Sequence, residues 1–520
     1  MKFLGIRNGH DQNITYTDGT RVRYAKLERN FQQKHYNFNH APGDDIVELI
    51  DQARKLFGVN TNELNGICIS NGFSTDVIEH KFDRYIQLDE LWFQVDKNKN
   101  KFWDQFPCPV YHIDHHYSHT LSCWPLIDLS KVKTHFVIDG LGCHARSLGV
   151  YQNDEIIEFI DRYENMGLSV TMEQIGQALK MKGMVLDLSG KLMALKSYHN
   201  MPPELTRAIM HKVKILKYRN LNQFIDIVKQ VVQNAMPNAT EDQRLINLSY
   251  MLHVFAEEKL PPYMDKFVTD RNEPITYSGG TAQNTVVNTK IREWFPNIQI
   301  PPHCPDDGIS LGCVEFLRKQ FDQPLFDNSN FPYWQSDEAP PTTPTQETIN
   351  KTAEMLAQGK IVGWYQGNGE VGPRALGNRS ILMDPSIKGG KDILNKKVKK
   401  REEYRPFGAS VLLEDTPKLF KCDYESPYML YVVDCLNHDY ASIEHVDGTC
   451  RVQTVNEQPQ YAIYRSLIQK FKDLTGIPMV LNTSLNVDGK PIAGFMEDAK
   501  TVFEKSEMDA VVIGNEILTK

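Results

Sequence analysis

His135-Phe136-Val137-Ile138-Asp139-Gly140-Leu141-Gly142 and, much later, Ile275-Thr276-Tyr277-Ser278-Gly279-Gly280-Thr281-Ala282-Gln283-Asn284 share a pattern: an apolar run that stops at a glycine turn. Short apolar runs bounded in this way read as buried strands. Glycine after a strand lets backbone N–H groups approach phosphate or ribose, and a following helix N-terminus favours anions. An ordinary strand-ending turn reads equally well. Neither is a Walker-type loop or a GxGxxG fingerprint.

Outward from these turns, Lys2–Arg7 and Arg21–Glu28 read as strands, the second preceded by the turn Thr17-Asp18-Gly19. Asp44–Phe57 carries Ile46, Leu49, Ile50, Ala53 and Leu56 at helical spacing. Gly66–Ser70 and Val110–Ile113 read as strands, and His115–Trp124 as the start of a helix. Strands interleaved with helices predict an α/β fold. The stretch from Glu164 to Phe267 is mostly helical in pattern, and no internal repeat is visible. Between Asp322 and Pro344 the chain turns rich in Pro, Asn, Ser and Asp. The expected division is therefore 1–325, a linker 326–344, and 345–520. Thr343 reads as an N-cap, with Pro344 at the first helical position and Gln346 completing a capping box; Gly359 ends that helix.

The chain has 520 residues, enough for two or three domains, with 41% hydrophobic and 24% charged residues. No window approaches the ~18 apolar residues of a membrane span, and the first residues do not read as a signal peptide, so a cytoplasmic protein with no membrane partner is expected. Nine cysteines, scattered and without a CxxC pair, exclude a zinc ribbon and argue against a disulfide framework. The net charge of −8 does not advertise nucleic-acid binding. The basic runs Lys212–Arg219 and Lys97–Trp103 are the local exceptions.

Three motifs carry chemistry. In Asp114-His115-His116-Tyr117-Ser118-His119, His115 and His119 share a helix face and suit one divalent metal. Packed or surface histidines are the alternative, and His116 becomes a ligand only off a regular helix. In Pro305-Asp306-Asp307-Gly308, Asp306 either caps a helix or supplies a carboxylate ligand. Two histidines plus a carboxylate suit Fe(II), with Zn and Mn as competitors. The third motif, Gly367–Ser380 (GNGEVGPRALGNRS), follows the strand Ile361–Tyr365. After it come Lys399-Lys400-Arg401-Glu402, Tyr404-Arg405-Pro406-Phe407, Arg451-Val452-Gln453-Thr454 and Asn482-Thr483-Ser484-Leu485-Asn486. Guanidinium forks and a lysine amid Gly, Pro and apolar strands form a pocket for a small dianion plus a nucleotide. Surface salt bridges are the alternative.

GPRALGNRSIL, KREEYRPF and LNTSLNVDGKPI, with His10-Asp11, HHYSH, VIDGLG, GKLMAL, SGGTAQN and DDGISLG in order, resemble the O-carbamoyltransferases of nodulation and antibiotic tailoring. The resemblance covers essentially the whole chain. It implies an N-terminal actin-like ATPase domain, similar to the threonylcarbamoyl transferases, and a C-terminal α/β domain similar to the threonylcarbamoyl-adenylate synthases. It also implies two steps. Carbamoyl phosphate yields carbamate, which attacks ATP to give carbamoyl-adenylate; the adenylate then passes internally to an acceptor hydroxyl. By motif, Arg374, Lys399, Arg401, Arg405, Arg451, Asn482, Ser484 and Asn486 would hold carbamoyl phosphate and nucleotide. Gly279, Gly280 and Asn284 would touch adenosine, and His115, His119, Asp306 and Asp139 would hold the metal. His10 would act as general base. ATP, Mg2+ and Fe(II) are the cofactors implied, and a homodimer is left open. Departures at Cys143-His144-Ala145-Arg146, Ala194 and His199 leave the acceptor open between a small alcohol and a hydroxymethylated base such as 5-hydroxymethylcytosine, as nucleotide or in DNA. A nucleotide-binding regulator without transferase activity is the alternative from another class.

Overall fold

The computed structural model describes residues 1–37, 44–71, 86–336 and 338–520. It contains three sheets. The first holds β1 (Phe3–Asn8), β2 (Asn13–Thr17), β3 (Val22–Lys26), β4 (Gly66–Asn71), β5 (Trp92–Gln94) and β6 (Val110–Ile113), in the order β3-β2-β1-β4-β6-β5. The second holds β7 (Thr134–Ile138), β8 (Arg146–Gln152), β9 (Glu155–Asp161), β10 (Ile275–Ser278) and β11 (Ile298–Gln299), in the order β11-β10-β7-β8-β9. In each sheet the first three strands form an antiparallel meander and further strands add in parallel beside the first, with β5 added antiparallel at the edge of the first sheet. This doubled topology is the actin-like arrangement that the resemblance implies. A repeat is therefore present in the backbone path where none is visible in the residues.

Alternation explains how the sheets pack. Leu4 and Ile6 of β1 enter a core with Ile46, Leu49, Ile50 and Ala53 of the helix Asp44–Phe57. Phe3 points the other way, to Val314 and Leu317 of the helix Ile309–Gln320. In β7, Val137 joins that same middle layer, whereas Phe136 and Ile138 face a core of the helices between Leu168 and Met264. The middle layer also contains the helix His115–Leu121, so two short helices lie between the sheets.

The third sheet holds β12 (Val362–Tyr365), β13 (Arg379–Met383), β14 (Gly408–Leu412), β15 (Val432–Asp434), β16 (Thr449–Val455), β17 (Met479–Ser484), β18 (Ala510–Ile513) and β19 (Glu516–Thr519). Its order is β15-β16-β14-β17-β13-β12-β18-β19, mixed parallel and antiparallel, with a core on each face. The segment before it is stitched to both halves. Gln335 bridges Tyr24 on one side and Gly369 on the other, and Trp334 stacks on Trp124 with ring centroids 5.3 Å apart.

Two sequence expectations shift. The Arg21–Glu28 run is a strand only to Lys26, after which Leu27–Phe31 is helical. The helix Gln346–Ala357 is capped by Thr345 rather than Thr343, because the Thr345 hydroxyl accepts from Thr348 N at 3.3 Å while Asn515 accepts Thr345 N–H at 3.1 Å. Pro344 therefore precedes the cap. No helix among the described residues is long and apolar enough to cross a membrane.

Candidate functional site

The helix His115–Leu121 starts where the Asp114 carboxylate accepts Tyr117 N–H at 2.9 Å. That cap places His115 and His119 on one face, with ring centroids 4.9 Å apart. Asp139 reaches them from the end of β7 and Asp306 from the turn before the helix Ile309–Gln320. One ligand atom from each of the four lies within 4.8 Å of every other, and all four side chains are buried. His115 Nε2 is 3.1 Å from Asp139 Oδ2 and 3.4 Å from Asp306 Oδ1; His119 Nε2 is 3.3 Å from Asp306 Oδ1. Asp306 makes no capping hydrogen bond to the helix behind it, so the ligand reading of this residue fits better than the cap reading.

Each carboxylate has one oxygen held and one offered. Asp139 Oδ1 accepts Gly280 N–H at 2.7 Å while Oδ2 faces the histidines. Asp306 Oδ2 takes Arg7 and lies 3.4 Å from His10 Nε2, while Oδ1 faces the histidines. Outer partners of this kind orient metal ligands. The donor set, two imidazoles and two carboxylates, fits Fe(II), Mn or Zn. Burial lowers the His119 pKa, but hydrogen bonds and charge from Asp139 and Asp306 outweigh it and push it up to about 9. Burial opposes ionisation of Asp139 and Asp306, yet His115 and His119 hold Asp139, and Arg7 with His115 and His10 hold Asp306, well below the usual range. The His10 Nε2 contact with Asp306 puts the predicted base directly beside this centre, and its Nδ1 pairs with Asp11 at 2.8 Å.

The cationic residues meet elsewhere along the same crevice. A cavity of about 320 Å³ runs between the two halves of the chain, and Arg374, Lys399, Arg401, Arg405, Arg451, Asn482, Ser484 and Asn486 all line it. Their arrangement follows from the local sequence. Glu370 accepts the backbone N–H groups of Leu376, Asn378 and Arg379 at 2.7, 2.8 and 3.1 Å, folding the loop that presents Arg374. Lys399 Nζ donates to the carbonyls of Ser484 and Asn486 at 2.7 and 2.9 Å. Arg401 lies over the Phe407 ring at 4.5 Å and donates to Asn395 Oδ1 at 2.8 Å. Asn482 is tied to Ser410 Oγ at 3.0 Å and to its neighbours within the sheet.

Negative charge is scarce here. Arg405 sees Glu402 at 3.4 Å and Asp488 at 3.7 Å. The Nε atoms of Arg374 and Arg451 are buried without a hydrogen-bond partner. Burial, then repulsion from Arg401 and Arg405, pushes the Lys399 ammonium well below its usual range. Burial with Arg405 and Arg451 does the same to Arg401, and burial with Arg374 and Arg405 to Arg451. A buried excess of positive charge is costly unless an anion meets it.

The N-terminal wall of the cavity includes Gly280 and Asn284, but not Gly279. Gly279 serves the backbone: its φ is +94°, and a Cβ would sit 2.3 Å from the Ile138 carbonyl oxygen, so only glycine lets the turn cross the end of β7. Asn284 caps the helix Thr285–Trp294 and pairs with His253 at 3.1 Å. Residues not singled out in the sequence complete the wall. Lys26 Nζ joins Asp11, Glu28 and Asp307 at 3.1, 3.0 and 2.7 Å. His35 meets Asp11 at 2.9 Å and Asp187 at 3.6 Å, and Lys34 meets Asp187 at 2.8 Å. Lys191, from the GKLMAL run, reaches across to Glu402 at 2.6 Å. Nothing local in the sequence marks these pairs.

In the basic run Lys97–Trp103, Lys99 and Lys101 are exposed, whereas Lys97 and Trp103 serve the fold. Lys97 Nζ donates to the Phe106 and Cys108 carbonyls at 2.5 and 2.8 Å, and Trp103 is fully buried, so it offers no face to a nucleic-acid base.

Family models described as Carbamoyltransferase N-terminus and Carbamoyltransferase C-terminus match residues 7–314 and 353–520. Nodulation protein NolNO of Sinorhizobium fredii is 36% identical over 270 residues, 47% of this chain and 40% of its own length. The 3'-hydroxymethylcephem-O-carbamoyltransferase of Amycolatopsis lactamdurans is 32% identical over 46% of this chain and 48% of its own length. The chain thus matches less than half the length of these two relatives. An uncharacterized protein of Methanocaldococcus jannaschii is 27% identical over 99% of both chains. With both family models matched in order along the chain, this protein belongs to the carbamoyltransferase family.

Proposed function

We propose that the chain is an ATP-using O-carbamoyltransferase that draws on carbamoyl phosphate. One observation carries this reading: five buried or half-buried cations with little compensating charge line a cavity shared with the wall that includes Asp11 and Gly280, the immediate neighbours of His10 and of the Asp139 contact. Arg374, Lys399, Arg405 and Arg451 would clamp phosphate oxygens, and Arg401 would raise the local positive potential. Carbamoyl phosphate would lose phosphate to water, giving carbamate. The carbamate oxygen would attack the α-phosphorus of ATP and expel pyrophosphate, with Mg2+ accompanying the nucleotide.

The resulting carbamoyl-adenylate is a mixed anhydride prone to hydrolysis, and exclusion of water from the cavity would protect it. Gly280 and Asn284 stand where the nucleoside would reach the N-terminal half. His10, held by Asp11, would take the proton of the acceptor hydroxyl as its oxygen attacks the carbamoyl carbon and AMP leaves. A divalent metal held by His115, His119, Asp139 and Asp306 would supply Lewis acidity at the adenylate. The acceptor is an alcohol.

Incubation with carbamoyl phosphate, ATP, Fe(II), Mg2+ and a panel of hydroxylated acceptors tests this. Pyrophosphate release should depend on carbamoyl phosphate, and one acceptor should gain one carbamoyl unit by mass. ATP turnover that ignores carbamoyl phosphate would sink the proposal.

A further inference from the structure

A second concavity lies on the other side of a single stretch of backbone from the cavity just described. Along residues 427–432, Met429 and Val432 line the cationic cavity, whereas Tyr428, Leu430 and Tyr431 line a groove of about 900 Å³. The wall is fixed from the first half of the chain. Asn288 Nδ2 donates to the Leu430 carbonyl at 3.0 Å, and Thr289 Oγ1 donates to the Val432 carbonyl at 2.8 Å. Met429 sits at φ +55°, a conformation rarely adopted outside glycine and asparagine, which turns adjacent side chains to opposite faces of the wall.

The groove has a chemistry unlike that of its neighbour. Of 23 lining residues, seven are Asn or Gln and five are Tyr or Phe, against one cation and one carboxylate. A nearly uncharged wall gives no grip on a phosphate or a carboxylate. Amides both donate and accept, which matches hydroxyl groups that do the same. Aromatic faces carry partial negative charge and meet the C–H faces of a sugar ring. Tyr424 and Tyr428 are half-buried at this surface, and the Tyr424 and Tyr431 rings stand nearly perpendicular, at 84°. Arg292 braces the pair, its guanidinium 4.1 Å from the centre of the Tyr424 ring. Such rings are rigid before any ligand arrives, so little conformational freedom is lost on binding.

We propose that this groove is a second binding site, distinct from the cationic cavity, for a neutral polyhydroxylated chain: an oligosaccharide. The site does not depend on the carbamoyl chemistry. Calorimetric titration of the full chain with cellohexaose, maltohexaose and chitohexaose tests it. At least one should bind with a micromolar-to-millimolar Kd. Tyr424→Ala should weaken that binding by roughly tenfold or more, and Asn456→Ala should weaken it by a smaller factor, each with a melting curve matching the parent. Saturating carbamoyl phosphate and ATP should leave the affinity unchanged. Binding by none of the three sugars overturns the proposal. So does binding untouched by both substitutions, or binding displaced by carbamoyl phosphate and ATP, which would place the sugar in the cationic cavity. Binding of decaproline in place of every sugar overturns it too, by assigning the groove to an extended peptide.

Discussion

The histidine–carboxylate centre and the arginine–lysine cluster are both knots of buried charge, yet they solve opposite problems. At the first, opposite charges face one another: Asp139 and Asp306 each hold one oxygen in a fixed partner and turn the other to His115 and His119. At the second, like charges face one another, and the carboxylates nearby, Glu402 and Asp488, stand at the edge. A self-neutralised cluster supports the fold as it stands. A cluster of one sign is held together by backbone and packing, and its charge becomes favourable only when a substrate brings the opposite sign. The first reads as a fixed centre and the second as a receptor.

Removing a cation from the receptor should break the comparison most visibly. Arg451→Met should lower carbamoyl-phosphate-dependent pyrophosphate release by about 10²-fold or more, the cost of losing one positioned donor. The same change deletes a half-buried guanidinium whose charge is already disfavoured by desolvation, Arg374 and Arg405. Its Tm should therefore hold or rise. A variant that loses activity and melts several degrees lower would mean that Arg451 is compensated after all.

At the self-neutralised centre the expected result is reversed. Asp306→Asn leaves Arg7 buried without its carboxylate. Breaking such a pair costs about 3–5 kcal/mol, which should appear in urea unfolding of the metal-free protein. Unchanged stability in the metal-free state would show that the carboxylate is held there for the metal alone.

How far this contrast could be read from the sequence follows from how local each signal is. His115 and His119 are four residues apart, so helix geometry alone predicts their meeting. The Arg and Lys residues stand beside glycines and apolar strands, which marks them as buried although not as neighbours. Lys26 has no such mark. It sits in an ordinary strand pattern and acquires meaning from Asp11, Glu28 and Asp307, the last brought to it by the helix packed on β1. The doubled topology was hidden for a similar reason. The two sheets share a strand order apart from the extra edge strand β5, but the long helical stretch between Glu164 and Phe267 enlarges one of them alone, and packing against different neighbours leaves no residue pattern in common.

Between the two knots, His35 offers a pH test. Burial lowers its pKa, but the charge and hydrogen bonds of Asp11 and the contact with Asp187 raise it to about 10. The unfolded value is about 6.5. A pKa raised on folding means that the protonated ring stabilises the folded state fully below about pH 6.5, and that this contribution fades as pH rises toward 10. The Tm gap between the parent and His35→Gln should therefore be widest near pH 6 and close by about pH 10. A gap that grows with pH would mean the ring is neutral in the fold.

The smallest effect concerns the contact that ties the two regions together. Lys191 donates to Glu402 at 2.6 Å, and Glu402 also faces Arg405. The lysine is 6% exposed and the carboxylate 25%, so the pair is screened less than a surface bridge. Contacting charges of this kind couple by about 1 kcal/mol in a double-mutant cycle. Lys191→Met and Glu402→Gln, alone and together, should show that coupling in unfolding experiments. Because Glu402 is also the carboxylate nearest Arg405, the lysine competes with Arg405 for it. Freed of Lys191, Glu402 should swing fully onto Arg405 and occupy the fork proposed to hold phosphate. Lys191→Met should thus raise the KM for carbamoyl phosphate several-fold with kcat little changed, and the double variant should recover the parent KM. A kcat loss with KM intact would instead assign Lys191 to the transfer step, on the side of the fixed centre rather than the receptor.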